Sequence, residues 1–418
     1  MVEIVKTVLA VLAAGMFLWG AGVCVFRTFQ PAARLDQNPW PPRAELQKVA
    51  LVCLAGGVIY QLIFLVFALR QSPGQPVLQA LQALEKFFYY NIDARHYMAL
   101  AQYGYGTGEA FPEQYLMIVF FPLFPLLLRI LNPLGVFNWH LLGMLVQLPL
   151  FCWAGMAVYA LVRRYYGRDN AVWTVLFLLI SPASHFFFPP MTESLFLALS
   201  VSYMICLVKE RWVLCGVLGL LAALCRSPGA LLAGAAVIWA IQFVRREKKR
   251  PSLGVVWAAA GPAAGLGIYI VINWVVYGKW NQFSVYQWEH WYQKMGLFFN
   301  TVRYLLDYAV SWWASNRDSA VFISITGVIC IMLQLLLLAA AARRLAPEHL
   351  AYGLAYTAFT AGATWLLSAP RYAAALFCLP MAMPLVVPKR WQRAAAAVLL
   401  LGCNVVYVLG FVKHAPIY

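Results

Sequence analysis

Hydrophobic positions come in long unbroken runs. Stretches without Asp, Glu, Lys or Arg recur at residues 7–26, 139–162, 170–192, 251–278, 319–342, 351–370, 372–388 and 394–412. Most are long enough for a helix to cross a hydrocarbon core of roughly 30 Å. Backbone groups cannot stay unpaired in lipid and the alternating pattern of a barrel is missing, so the spans are expected to be helices. The reading gives about 11 spans, at 7–27, 50–69, 139–162, 171–188, 191–208, 212–244 (broken at "CRSPG"), 253–277, 320–342, 350–368, 371–387 and 394–412. The first run reads as an anchor rather than a cleaved leader. Two long segments, 70–138 and 278–319, fall on the outer side. In the first, "VLQALQALEKFFYY" has helical period and is expected to lie along the interface. The prolines and Arg129 of "FFPLFPLLLRIL" argue for a re-entrant piece instead of a crossing. The second is crowded with Trp and Tyr, as expected at a headgroup layer.

Composition agrees with this pattern. The chain of 418 residues is 63% hydrophobic and 11% charged, with a mean hydropathy of +0.73. These values describe an all-α polytopic membrane protein, one membrane domain over 1–418, without repeats or low-complexity linkers. A net charge of +16 would suggest nucleic acid in a soluble protein. Here it follows the positive-inside rule, and no nucleic-acid partner is expected. With the N-terminus outside, one side collects Arg27, Arg34, Arg43 and Lys48, then Arg163, Arg164 and Arg168, Lys209 and Arg211, the run "RREKKR", Arg343 and Arg344, and Lys389, Arg390 and Arg393. The nine cysteines fall inside spans and match no disulfide framework or zinc spacing.

The other side collects Asp93, Arg95, His96, Glu109, Glu113, Glu193, Arg226 and Arg371, the candidates for chemistry. A loop Asp beside Arg and His is ordinarily a surface ion pair. Asp93 is flanked by "FFYY" and "YGYG", however, which suggests packing on the membrane domain, where a partly desolvated carboxylate can serve as a general base. His96 follows three residues later, on the same face if the segment is helical. Glu193 opens a span, where an acidic residue is an ordinary cap as well as a site candidate. Arg226 and Arg371 interrupt apolar stretches in "LAALCRSPGALLAG" and "WLLSAPRYAAALF". A membrane arginine costs at least ~2.5 kcal/mol on insertion scales. Glu193, a backbone carbonyl, snorkelling or a bound phosphate would compensate it.

"DARHYMALAQYGYG" followed by "FFPLFP", then "SPASHFFFPPMTESLF", "CRSPG", "YGKWNQFSVYQWEHW" and "APRY" resemble, in order, the PIG-V-like mannosyltransferases of the GT-C superfamily of membrane glycosyltransferases. The likeness covers about residues 85 to 380. The family often has Trp just before the Asp, where this chain has Ile92, and "PPMTESLF" replaces a small-residue–Tyr context. The resemblance implies a GT-C-like helical bundle that moves a hexose, mannose in the best-known members, from a polyprenyl-phosphate-sugar donor to a lipid or glycan acceptor. Single displacement with inversion is expected, on the extracytoplasmic side of a bacterial plasma membrane. Asp93 matches the position of the essential acidic residue in the first outer loop. His96, Glu113, Glu193, Arg226 and Arg371 are assigned to the substrates, with His96 helping the arginines to stabilise phosphate charge. "FFPLFPLLL" is expected to wall a groove for the prenyl tail, and Trp288 and Trp291 are candidates to stack on a sugar or to anchor at the interface. No cofactor or divalent metal is expected. The alternatives are a transporter or lipid flippase with an outward-facing polar site, and a structural partner of another membrane enzyme. A proton-coupled transporter would carry ionisable groups near the midplane and often two similar halves. Here the carboxylates gather at one face, without a second aromatic-Asp loop.

Overall fold

The computed structural model describes residues 2–30, 37–71, 82–85, 87, 88, 92–364 and 366–417. Among them the chain is helical throughout its regular structure, apart from one antiparallel bridge between Met295 and Ala363. In chain order the helices are α1 (Val2–Phe29), α2 (Arg43–Gln71), α3 (Ala94–Tyr103), α4 (Leu123–Leu131), α5 (Trp139–Tyr166), α6 (Arg168–Ile180), α7 (Glu193–Val208), α8 (Trp212–Cys225) and α9 (Leu232–Glu247). They continue with α10 (Gly254–Tyr277), α11 (Gln282–Trp291), α12 (Phe298–Trp312), α13 (Arg317–Ala341, with a π turn at Ala320–Ile325), α14 (Pro347–Ala361), α15 (Ala369–Ala374), α16 (Cys378–Val386) and α17 (Arg390–Val412).

Seven helices among the described residues are long and apolar enough to cross a membrane, which makes the chain an integral membrane protein: α1, α2, α5, α9 with its preceding turn, α10, α13 and α17. The other four expected spans, at 171–188, 191–208, 350–368 and 371–387, are shorter helices. α6 has 13 residues, α7 has 16, α14 has 15 and α16 has nine. Proline explains much of the shortening, because each one removes an amide donor. Pro182 follows α6, Pro189 and Pro190 precede α7, and Pro370 opens α15. The expected break in 212–244 lies between α8 and α9, as a 3-10 turn at Ser227–Leu231. α4, with nine residues, rises only about 14 Å and is too short to cross. The expected interfacial helix at 77–90 falls largely outside the described residues.

Close backbone approach positions α8. A Cβ at Gly261 would meet the Gly216 carbonyl oxygen at 2.1 Å, and one at Gly265 would meet that of Leu220 at 2.2 Å. Glycines four apart on α10 therefore seat α8 directly against it, as small residues do between membrane helices. Part of the core is aromatic: Phe64, Phe88, Phe151, Phe187 and Phe188 are fully buried. At the opposite end, Arg27 donates to the carbonyls of Ala342 (2.7 Å) and Leu345 (2.5 Å), Arg163 pairs with Glu45 at 3.1 Å, and Arg393 pairs with Asp169. Several arginines of the side expected to be basic thus tie helix ends together. All nine cysteines are free, and only Cys403 is exposed.

Candidate active site

Asp93 is the N-cap of α3, yet its side chain does not cap the helix. Its backbone carbonyl accepts from the amides of His96 (3.0 Å) and Tyr97 (3.4 Å), which leaves the carboxylate for another partner. That partner is Arg371 on α15, whose Nη1 donates to Asp93 Oδ2 at 2.6 Å. The Nε of the same guanidinium donates to Glu193 Oε1 at 2.5 Å. Arg226 also donates to that oxygen, and to Thr192 Oγ1 at 3.1 Å. Thr192 and Glu193 open α7 without a side-chain cap. The capping role available to them is set aside for a chain that runs Asp93–Arg371–Glu193–Arg226. Four distant stretches of sequence meet in it.

Local backbone chemistry explains each placement. α8 stops at Cys225, and Arg226 adopts an extended conformation (φ −155°, ψ 144°) before the Ser-Pro-Gly turn, so its side chain leaves the helix cylinder. Pro370 begins α15, and Arg371 follows in its first turn. Both guanidiniums lie against rings, Arg226 5.0 Å from the centroid of Tyr372 and Arg371 5.9 Å from that of Phe186. Glu193 is wholly buried, and its Oε2 has no hydrogen-bond partner among the described residues. Nη2 of Arg371, and Nε and Nη2 of Arg226, likewise take no acceptor among the described residues.

These groups bound a cleft of about 410 Å³. Asp93, Arg95, His96, Phe120, Arg226 and Arg371 line it together with Gln287, Trp291 and Gln293 from the segment 278–319. The Asp93 side chain keeps 40% of its surface accessible because it faces this opening, whereas Arg371 keeps 6%. Three guanidiniums meet two carboxylates, so the cleft and its floor carry a net positive charge suited to an anion. Burial alone would push the Asp93 carboxyl up. The Arg371 guanidinium, with a smaller contribution from Arg226, overcomes this and holds it below the usual carboxylate range.

His96 lines the cleft, but not as a cation. Its ring stacks on Phe120 (centroids 4.5 Å apart, 20° between planes) and receives a hydrogen bond from Arg95 Nε at 3.2 Å. Burial, only partly offset by Asp93, lowers its pKa to about 4. A neutral ring contributes packing and hydrogen bonding, which corrects the expectation that it adds positive charge against phosphate. An unfolded chain takes up this proton near pH 6.5 and the folded one near 4, so stability should fall as pH drops from about 6.5 to 4. Asp93 adds its own loss only below about pH 4. His96→Gln should therefore flatten the dependence of the unfolding temperature on pH across that window. An unchanged slope would refute the assignment.

Glu113 does not join the site. It is exposed, at the start of the 3-10 turn Gln114–Val119, and does not line the cleft. Glu109 is also exposed. Residues that sequence reasoning left out are Tyr97, Gln287, Gln293, Ser368 and Tyr372. Their signal was weak, since amides and tyrosines are common at interfaces. Tyr292, in the left-handed region at φ 53°, turns the chain after α11 so that Gln293 reaches the cleft. The following residues are stitched to those ahead of Arg371: Gly296 N–H donates to Gly362 O at 2.7 Å, and Thr364 N–H to Lys294 O at 2.9 Å. Among the described residues no cluster of three or more His, Cys, Asp or Glu side chains is arranged to hold a metal ion. Compared with known proteins, the chain matches no protein-family model and no curated protein.

Proposed function

We propose that this protein is a membrane glycosyltransferase that moves a hexose, mannose in the first instance, from a polyprenyl-phosphate-sugar donor to a hydroxyl of a lipid or glycan acceptor. The observation that carries this reading is the joining of Asp93, Arg371, Glu193 and Arg226 in one network at an open cleft. Asp93 takes the proton of the acceptor hydroxyl as that oxygen attacks the anomeric carbon. The bond from that carbon to the phosphate oxygen breaks on the far side, and the configuration inverts. The electron pair leaves with polyprenyl phosphate, whose added charge meets Arg371, where the phosphate has displaced Asp93, and the open donors of Arg226. Glu193 holds both guanidiniums in position.

The rest of the wall suits a sugar. Trp291 meets Phe120 edge-on at 6.4 Å, and Gln287 and Gln293 bring amides to the same cleft. These groups are neutral and suit the faces and hydroxyls of a polyol. For the prenyl tail, Phe121 of the cleft wall stacks on Tyr269 of α10 at 4.0 Å. The lipid-facing side of α10 carries an apolar groove of about 470 Å³ along Ala264, Ile268, Val271 and Val275. This groove is a second candidate for the tail beside "FFPLFPLLL", whose Phe120 and Phe121 line the cleft.

Purified protein in detergent, given polyprenyl-phosphate mannose and candidate lipid acceptors, should add a hexose mass to one of them. Vesicle transport of the same lipid without any hexose transfer would favour the flippase reading instead. Trp291→Ala should raise the KM for the donor about three- to tenfold, the worth of an aromatic contact, while leaving the affinity for sugar-free polyprenyl phosphate unchanged. Equal losses for both ligands would remove Trp291 from the sugar.

A further inference from the structure

At the end of the bundle remote from the cleft, three arginines surround the last turns of α1. Arg27 caps the carbonyls after α13. Arg245 lies over Phe29 at 5.5 Å, and Arg343 over Trp19 at 5.2 Å. Among the described residues no carboxylate pairs with any of the three, although carboxylates do pair with Arg163, Arg246 and Arg393 nearby.

The direction of Arg343 is unusual. Trp19 lies about two helical turns before Arg27, roughly 12 Å along the axis. The Arg343 guanidinium is thus laid back along α1 towards the hydrocarbon, where a long cationic side chain ordinarily extends to water. A charge held there calls for a counter-ion. Beside it runs an apolar groove of about 510 Å³ lined by Leu18, Trp19, Gly22, Val23 and Phe26, with Arg27 and Arg343 at its polar edge. Nothing lies within 4 Å of where a Cβ on Gly22 would sit, so the groove floor is open at that residue.

We propose that this groove binds an anionic phospholipid, with its phosphate on Arg343 and Arg27 and one acyl chain along Leu18, Gly22 and Phe26. A cationic pocket between membrane helices beside an apolar track is the arrangement that holds acidic lipid headgroups. The site is independent of the transfer reaction.

The test uses the full chain reconstituted in phosphatidylcholine vesicles that contain rising fractions of brominated phosphatidylglycerol or brominated phosphatidylcholine, whose bromine quenches a tryptophan in contact. The Trp19 signal is the difference between wild type and Trp19→Phe. It should be half quenched at an about fivefold lower fraction of the glycerol lipid than of the choline lipid, the worth of one basic residue at a membrane surface. Arg343→Gln should abolish that preference, and Arg343→Lys should retain part of it. Equal midpoints for the two lipids in the wild type, or a preference that survives in Arg343→Gln, would overturn the proposal. The wild-type comparison decides by itself if Arg343→Gln does not fold.

Discussion

On the proposed transferase reading, Asp93→Asn is expected to transfer hexose about 10²–10⁴-fold more slowly than wild type, the usual worth of a positioned general base, and to bind polyprenyl phosphate more tightly. The two effects have one origin. Asp93 Oδ2 accepts from Arg371 Nη1 at 2.6 Å, so on that reading the donor phosphate and the carboxylate compete for the same guanidinium. An aspartate held on an arginine is a poor base. Once phosphate takes its place on Arg371, the carboxylate loses the interaction that keeps it below the usual range, and it recovers basicity when donor is bound. The amide of Asn cannot accept the proton and competes only weakly for Arg371. Single-turnover mass spectrometry gives the rate, and quenching of cleft tryptophans by polyprenyl phosphate gives the affinity. A variant that transfers hexose as fast as wild type would end the base assignment. A slow variant with weakened phosphate binding would show that Asp93 only organises Arg371.

Glu193→Ala should cost about 3–5 kcal/mol of stability, the penalty for removing one partner from a buried ion pair. Glu193 has no exposed surface, and its Oε1 serves both Arg226 and Arg371. Its loss strands Arg226 without a carboxylate and leaves Arg371 with Asp93 alone. The effect should be read as a drop in unfolding temperature in detergent. It should be smaller when Arg226→Met is already present, because the stranded charge is then absent. Equal costs in the two backgrounds would show that Glu193 and Arg226 are not coupled. Glu193→Gln, which keeps the shape and one acceptor, should fall between wild type and Glu193→Ala.

Each member of the network was visible in the sequence as a polar residue out of place: Asp93 in an aromatic loop, Glu193 at the start of a span, and Arg226 and Arg371 inside apolar stretches. Their partners were not. Glu193 was a candidate compensator for a membrane arginine, but a single carboxylate oxygen serving two arginines from α8 and α15 depends on how three helix ends pack. Glu113 read as their equal because exposure leaves no mark on a loop carboxylate. Gln287 and Gln293 went unseen because an amide in an interfacial loop has no distinctive spacing.

Hydropathy by itself determined that the chain is helical and inserted in a membrane, since every backbone group in lipid must be paired within its own segment and only long apolar runs allow this. It also marked the break at Ser227–Leu231, because proline and glycine act locally. The tertiary structure decided which apolar runs are full-length helices and which are short ones ended near proline. It also decided which charges share a cleft. Ion pairing between residues as distant as Asp93 and Arg371 is a property of packed helix ends, and no local pattern along the chain encodes it.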